Sequence, residues 1–297
     1  MPGSENNMNG FLRKAGDYFS LVKFSHTVFA MPFALIGFSL AVTLPENNFS
    51  IRLLLLIILC MIFARNAAMG FNRVADRKFD TLNPRTQKRE IPSGTIGAGS
   101  AAAFVVVNAI LFVVTTAFIN RLTLLLSPVA LVVILGYSLT KRFTSLCHFI
   151  LGLGLSLAPI GAYISVTGRF DLLPLLYSFM VLTWSTGFDI IYALQDDEFD
   201  RDHNLHSIPS STGRKKALVI SAFVHFLTFA LIIAAGIYGN GSFLYWTGAV
   251  IFSGLLIWQH LIVSPDDLSR VTVAFQTTNG IASVLYSVFV ILDLVIF

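Results

Sequence analysis

Charge is what this sequence has least of. Of its 297 residues only 12% are Asp, Glu, Lys or Arg, about half the share carried by soluble domains. Mean hydropathy is +0.76 and 55% of residues are hydrophobic. So few charges cannot clothe a water-soluble surface, which excludes soluble enzymes and nucleic-acid-binding modules and points to a bilayer. Cysteine is almost as scarce. Cys60 and Cys147, the two present, fall in or beside apolar runs, which excludes a disulfide framework and a thiolate zinc site. The leading "MPGSENNMNG" is polar, and the first apolar run is long enough to remain as an anchor, so no secretory signal is expected. Residues 11–24 mix basic and aromatic side chains and read as an interfacial segment ahead of one transmembrane domain over 25–297.

What is abundant is apolar runs near the roughly 20 residues that cross a hydrocarbon core. Hydropathy predicts nine helices, at 25–44, 51–70, 97–119, 122–140, 145–166, 172–195, 216–237, 243–263 and 270–296. The expected fold is therefore all-α, a multi-span transmembrane helical bundle around a central cavity capped on the cytoplasmic side. Basic residues alternate between the connections. One set holds Arg13, Lys14, Lys23, Arg73, Arg77, Lys78, Arg85, Lys88, Arg89, Lys141, Arg142, Arg201, Arg214, Lys215, Lys216 and Arg270, and the opposite set only Arg52, Arg121 and Arg169. The basic set belongs in the cytoplasm. In a bacterial cell this means the inner membrane with the motif loops facing inward.

Two of the basic loops also carry acids at helical spacing. In "FNRVADRKFDTLNPRTQKRE", residues 71–90, Asn72, Asp76 and Asp80 stand at i, i+4 and i+8, successive members offset by about 40° on a helix. In "FDIIYALQDDEFDRD", Asp189, Asp196 and Asp200 stand at i, i+7 and i+11, again one stripe. Like charges in a stripe oppose helix formation by a few tenths of a kcal/mol per pair, and two stripes facing each other need a neutralising cation. Mg²⁺ suits them, because it takes hard oxygen ligands and shares them with substrate phosphates. Asp76, Asp80, Asp196 and Asp200 are the expected metal ligands, with Asn72 adding or orienting one. Lys78, Arg85, Arg89, Lys141 and Arg142 exceed what a metal requires and fit the remaining charge of a diphosphate. The competing account is a pair of solvated loops whose acids and bases neutralise one another.

These loops resemble the UbiA superfamily of intramembrane prenyltransferases. The pattern N-x-x-x-D-x-x-x-D runs from Asn72 through Asp76 to Asp80. R-T-x-x-R follows as Arg85, Thr86 and Arg89, and P-x-G as Pro92 and Gly94. D-x-x-Y-A-x-x-D-x-x-x-D is met by Asp189, Tyr192, Ala193, Asp196 and Asp200, and Y-x-x-x-K-R by Tyr137, Lys141 and Arg142. Within the family the chain looks like the 4-hydroxybenzoate polyprenyltransferase branch. It departs at Arg73, where many members place a second acid, and at "KFSHTVFAMPFAL", which is closer to the branch that prenylates a dihydroxynaphthoate.

The resemblance implies Mg²⁺-dependent transfer of a polyprenyl chain from its diphosphate to a ring carbon of an aromatic acid, with Arg77 and Asp189 also lining the site. Asp189 or the phenol's own acidity would take up the ring proton. An aromatic acid needs a cationic anchor, for which Lys23, His26 and Arg65 at the cytoplasmic span ends are the candidates. The same metal site also suits a dihydroxynaphthoate or a heme- or chlorophyll-type acceptor. The non-enzyme alternative is an ion-coupled transporter, which would place acids mid-span on broken helices rather than at helix ends beside bases. Asp293, alone in the last span, is expected near the outer surface.

Overall fold

Lipid offers a backbone no hydrogen bonds, so each apolar run must satisfy its own amides and carbonyls, as a helix does. The computed structural model describes Gly16, Tyr18, Ser20, Leu21 and residues 29–297. Among these residues the chain is helical with no strand. Its helices are α1 (Met31–Val42), α2 (Ile51–Ala75), α3 (Arg77–Leu82), α4 (Ala98–Ala117), α5 (Arg121–Thr140), α6 (Cys147–Thr167) and α7 (Leu172–Ala193). They continue with α8 (Asp197–Asp202), α9 (Ile208–Thr212), α10 (Arg214–Tyr238), α11 (Phe243–Ile262) and α12 (Asn279–Ile296). A 3₁₀ turn, Leu194–Asp196, joins α7 to α8, and a π-helical segment, Val273–Thr278, leads into α12.

Eight of these helices are long and apolar enough to cross a membrane: α2, α4, α5, α6, α7, α10, α11 and the π segment with α12. The shorter apolar α1 occupies the described part of the first expected span. The chain is an integral, multi-pass membrane protein. Helix ends fall where local chemistry stops them. Asn120 and Thr123 form a reciprocal capping box on α5, with Thr123 N donating to Asn120 Oδ1 at 2.9 Å. Gly168 ends α6 at φ 67°, a left-handed conformation that suits glycine.

α7 is the most buried long helix, packed against α6 and α10. Its close approach to α6 depends on Gly152, where an added Cβ would lie 2.5 Å from Thr186 Oγ1 and 2.6 Å from the Leu182 carbonyl oxygen. Such small-residue contacts are how membrane helices gain packing without hydrophobic drive. Aromatic rings fill the bundle beside α7, with Trp184, Phe33, Phe188, Phe252 and Tyr286 at 2% exposure or less. The π segment leaves carbonyls out of register, and Asn279 repairs this by donating through Nδ2 to Ala274 O at 2.9 Å and Phe275 O at 3.1 Å. Its Oδ1 accepts from Trp184 Nε1 at 2.8 Å.

Asp293 has a structural role. It accepts from Ser242 N at 3.1 Å, Tyr245 N at 3.0 Å and the Ser242 hydroxyl. A carboxylate from α12 thereby caps the N-terminus of α11, where free amides and the helix dipole favour negative charge.

Candidate active site at the loop end of the bundle

Both acidic stripes and the flanking bases converge on one cavity of about 220 Å³. Helix α2 runs five residues past its expected end, to Ala75, so Asn72 sits in its last turn and Asp76 becomes its C-cap. The backbone bonds Asp76 N–Asn72 O (2.9 Å) and Asp80 N–Asp76 O (2.8 Å) carry the helical register into α3. All three side chains therefore line the cavity. On the other side, Asp189 projects from α7, Asp196 from the 3₁₀ turn and Asp200 from α8, and these also line it.

Four of the five carboxylates are neutralised by neighbouring bases. Arg89 Nη1 lies 2.7 Å from Asp80 Oδ1, Lys141 Nζ 2.7 Å from Asp200 Oδ1 and Arg142 Nη2 3.4 Å from Asp76 Oδ1. Arg85 grips Asp196 bidentately, with Nε 2.9 Å from Oδ1 and Nη2 on Oδ2. Its Nη1 donates to Tyr192 Oη at 2.9 Å, and its guanidinium lies 5.3 Å from the Tyr192 ring centre. Asn83 adds a bond from Nδ2 to Asp196 Oδ1 at 3.0 Å. The bases thus pin the acids across the two loops, so the need for a neutralising cation inferred from the acids alone is met here by Arg and Lys.

The electrostatics follow. Burial and then the charge of Asp80 push the Asp76 carboxyl above the usual carboxylate range, against the pull of Arg142 and Lys141. Burial would lower the pKa of Lys141, but Asp200 beside it outweighs this and holds the ammonium above the usual lysine range. Arg85 behaves likewise, with Asp196 overcoming the cost of burial.

Oxygen donors suited to a hard divalent cation are present. Asp80 Oδ2 and Asp200 Oδ2 are buried without a hydrogen bond, and such orphans are costly unless a ligand engages them. Asp76, Asp80, Asp196 and Asp200 with Asn72 fit Mg²⁺ by chemistry. No trio of His, Cys, Asp or Glu is already drawn to coordination distance among the described residues. Loading the site requires the carboxylates to exchange their Arg and Lys partners for metal.

Not every expected residue joins. Arg77 and Lys78 are exposed and stand outside the cavity wall, and Arg77 Nη1 bonds the Val74 carbonyl of its own helix at 2.9 Å. Steps of 100° per residue turn these two away from the face shared by Asp76 and Asp80. Arg65 lies in α2, is not part of the wall, and feels the charge of Tyr137, which is. Lys23 and His26 lie outside the described residues. Spacing failed to flag Asn83, Thr86 and His148, all of which line the cavity. His148 Nδ1 is 2.6 Å from Asp189 Oδ2. No local pattern announces this pair, since its members are 41 positions apart.

Comparison with known proteins places this geometry. Residues 30–283 match the model of the UbiA prenyltransferase family. A 4-hydroxybenzoate octaprenyltransferase of Aliivibrio fischeri (strain MJ11) is 27% identical over 235 residues, 79% of this chain and 82% of that protein. The apo structure of a UbiA homolog from Aeropyrum pernix K1 superposes with a TM-score of 0.81 at 30% identity, over 90% of this chain and 98% of that one. A UbiA homolog from Archaeoglobus fulgidus bound to DMAPP and Mg²⁺ shares the fold, with a TM-score of 0.73 at 20% identity, over 95% and 100% of the two chains.

Proposed function

The chain belongs to the UbiA prenyltransferase family, and from that premise we propose that it moves a polyprenyl chain from its diphosphate to a ring carbon of a 4-hydroxybenzoate-like acid. The observation that carries this reading is the meeting of Asp76, Asp80, Asp196 and Asp200 with Arg85, Arg89, Lys141 and Arg142 in one cavity at the end of a spanning bundle. Acids alone would suit a cation and bases alone a phosphate. Their intermixing suits a metal-diphosphate substrate. The relatives named 4-hydroxybenzoate octaprenyltransferase support the choice of an aromatic acid and a long prenyl donor.

In this account Asp76, Asp80, Asp196, Asp200 and Asn72 hold Mg²⁺, which supplies charge neutralisation for the diphosphate. Arg85, Arg89, Lys141 and Arg142 leave their carboxylates to bind the remaining phosphate oxygens. They stabilise the negative charge that develops as the C–O bond breaks and its electron pair departs with diphosphate. The allylic carbon then bonds the aromatic ring, and the ring loses one proton. Apolar walls keep water from the cation, and the bilayer accepts the hydrocarbon tail. Asp189 is the carboxylate available for the proton, and Arg65 the cation placed toward an acceptor carboxylate. The strong bias of basic residues to this end of the helices puts the site on the cytoplasmic face.

Membranes containing the protein, incubated with geranyl diphosphate, Mg²⁺ and a panel of aromatic acids, provide the test. Mass spectrometry is expected to find a prenylated 4-hydroxybenzoate. Prenylation of dihydroxynaphthoates alone would replace the acceptor and keep the chemistry. No Mg²⁺-dependent diphosphate release with any acceptor would overturn the reading in favour of transport.

A further inference from the structure

Asp189 differs from the other four cavity carboxylates. Each of those faces an Arg or Lys, whereas among the described residues the charged partner of Asp189 is an imidazole, His148. His148 is 3% exposed at the start of α6, and the Asp189 side chain is 19% exposed to the cavity. Ile208 N, in the first turn of α9, points its hydrogen at His148 Nε2 at 3.3 Å. A nitrogen that accepts from an amide carries no proton, so the ring proton sits on Nδ1 and is donated to Asp189 Oδ2. The imidazole is neutral, and it fixes one carboxylate oxygen without cancelling the charge. No hydrogen bond reaches Asp189 Oδ1 among the described residues.

The ring is itself tightly held. Thr186 Oγ1 donates to the His148 carbonyl at 3.3 Å across the contact that Gly152 permits. The segment around Ile208 is docked by His206 N donating to Lys141 O at 2.6 Å and Leu205 N donating to Asp200 O at 2.8 Å.

We propose that His148 is a positioning residue for prenyl transfer: it holds Asp189 by Oδ2, as the neutral Nδ1–H tautomer that Ile208 enforces, so that Oδ1 stays ionised and turned to the acceptor. The inference rests on the function proposed above. When diphosphate draws the Arg and Lys side chains to itself, Asp189 loses no partner, because its partner is not a cation. It remains a fixed proton acceptor while the charges around it regroup.

Two amide substitutions separate the two bonds of the ring. His148→Asn places an N–H near Nδ1 and keeps the bond to Asp189. His148→Gln places an oxygen near Nε2 and keeps only the bond from Ile208. His148→Leu removes both. Steady-state transfer from geranyl diphosphate to 4-hydroxybenzoate is measured beside wild type and Asp189→Asn. We expect kcat to fall by roughly 100-fold or more in His148→Leu and Asp189→Asn, with KM for geranyl diphosphate within about threefold, and Asn to recover at least about tenfold over Gln. A Gln variant at or above Asn would mean that His148 merely anchors the α9 loop, and would overturn the proposal. So would a wild-type kcat in His148→Leu, or a loss confined to KM for the diphosphate. If His148→Leu fails to accumulate, the ranking of Asn against Gln still decides. Absence of transfer by the wild-type protein would instead refute the proposed function.

Discussion

Replacing Arg85 with Met severs the strongest link between the two acidic loops. In the folded protein its guanidinium spans 111 positions to reach Asp196, with Nε–Oδ1 at 2.9 Å and a second, parallel bond from Nη2, and it also reaches Tyr192 Oη at 2.9 Å. Removing one member of a fully buried pair costs about 3–5 kcal/mol, because the other charge is left unpaired. Here the Arg85 side chain is 31% exposed and that of Asp196 11%, so water recovers part of the charge, and Asn83 still donates to Asp196 at 3.0 Å. The expected loss is about 2 kcal/mol, below the buried limit and above the 0–1 kcal/mol of a surface pair. Reversible unfolding in mixed detergent micelles measures it. A cycle with Asp196→Asn isolates the pair, with an expected coupling of about 1–2 kcal/mol. Arg85→Lys should retain charge but lose the fork, and recover less than half. A stability change within about 0.5 kcal/mol for Arg85→Met would refute the claim that this pair joins the loops.

Other consequences are simpler to check. Gly152→Val drives a side chain into Thr186 Oγ1 and the Leu182 carbonyl; it should cost about 1–3 kcal/mol by overpacking and reduce transfer by displacing His148, both read in purified protein. Arg77→Ala and Lys78→Ala, outside the cavity wall, should leave KM for geranyl diphosphate within about twofold, whereas Arg89→Ala should raise it by about tenfold or more. Asp293→Ala removes the cap on α11 and should lower stability by about 1 kcal/mol without altering kcat.

The spans were legible because lipid forces a single solution. Residues 97–119 and 243–263 were expected and Ala98–Ala117 and Phe243–Ile262 are found, since any stretch of backbone in hydrocarbon must be a helix of about 20 residues. The shared face of Asn72, Asp76 and Asp80 was legible for a similar reason, because spacing fixes azimuth. Beyond that the code is not local. Hydropathy ended α2 at residue 70, yet the helix continues to Ala75 because Arg73 is buried against the protein at 3% exposure and not lost to water. Which base meets which acid depends on the packing of distant loops: Arg85 to Asp196 and Lys141 to Asp200 obey no period. The partner of Asp189 lies on another helix, and the role of Asp293 is visible only once α11 and α12 lie side by side. Arg77 and Lys78 entered the sequence account on type and proximity; their azimuth, also written in the sequence, already argued against them.

The central claim is that both acidic loops grip a single metal-diphosphate group. A structure with Mn²⁺ and a thio-analogue of geranyl diphosphate tests it directly, because anomalous scattering locates the metal without interpretation. The account predicts Mn²⁺ between the carboxylates of Asp76 or Asp80 and those of Asp196 or Asp200, with Arg85, Arg89, Lys141 and Arg142 turned onto the diphosphate. Metal bound to only one loop, or diphosphate bound elsewhere while the four ion pairs stay closed, would contradict it.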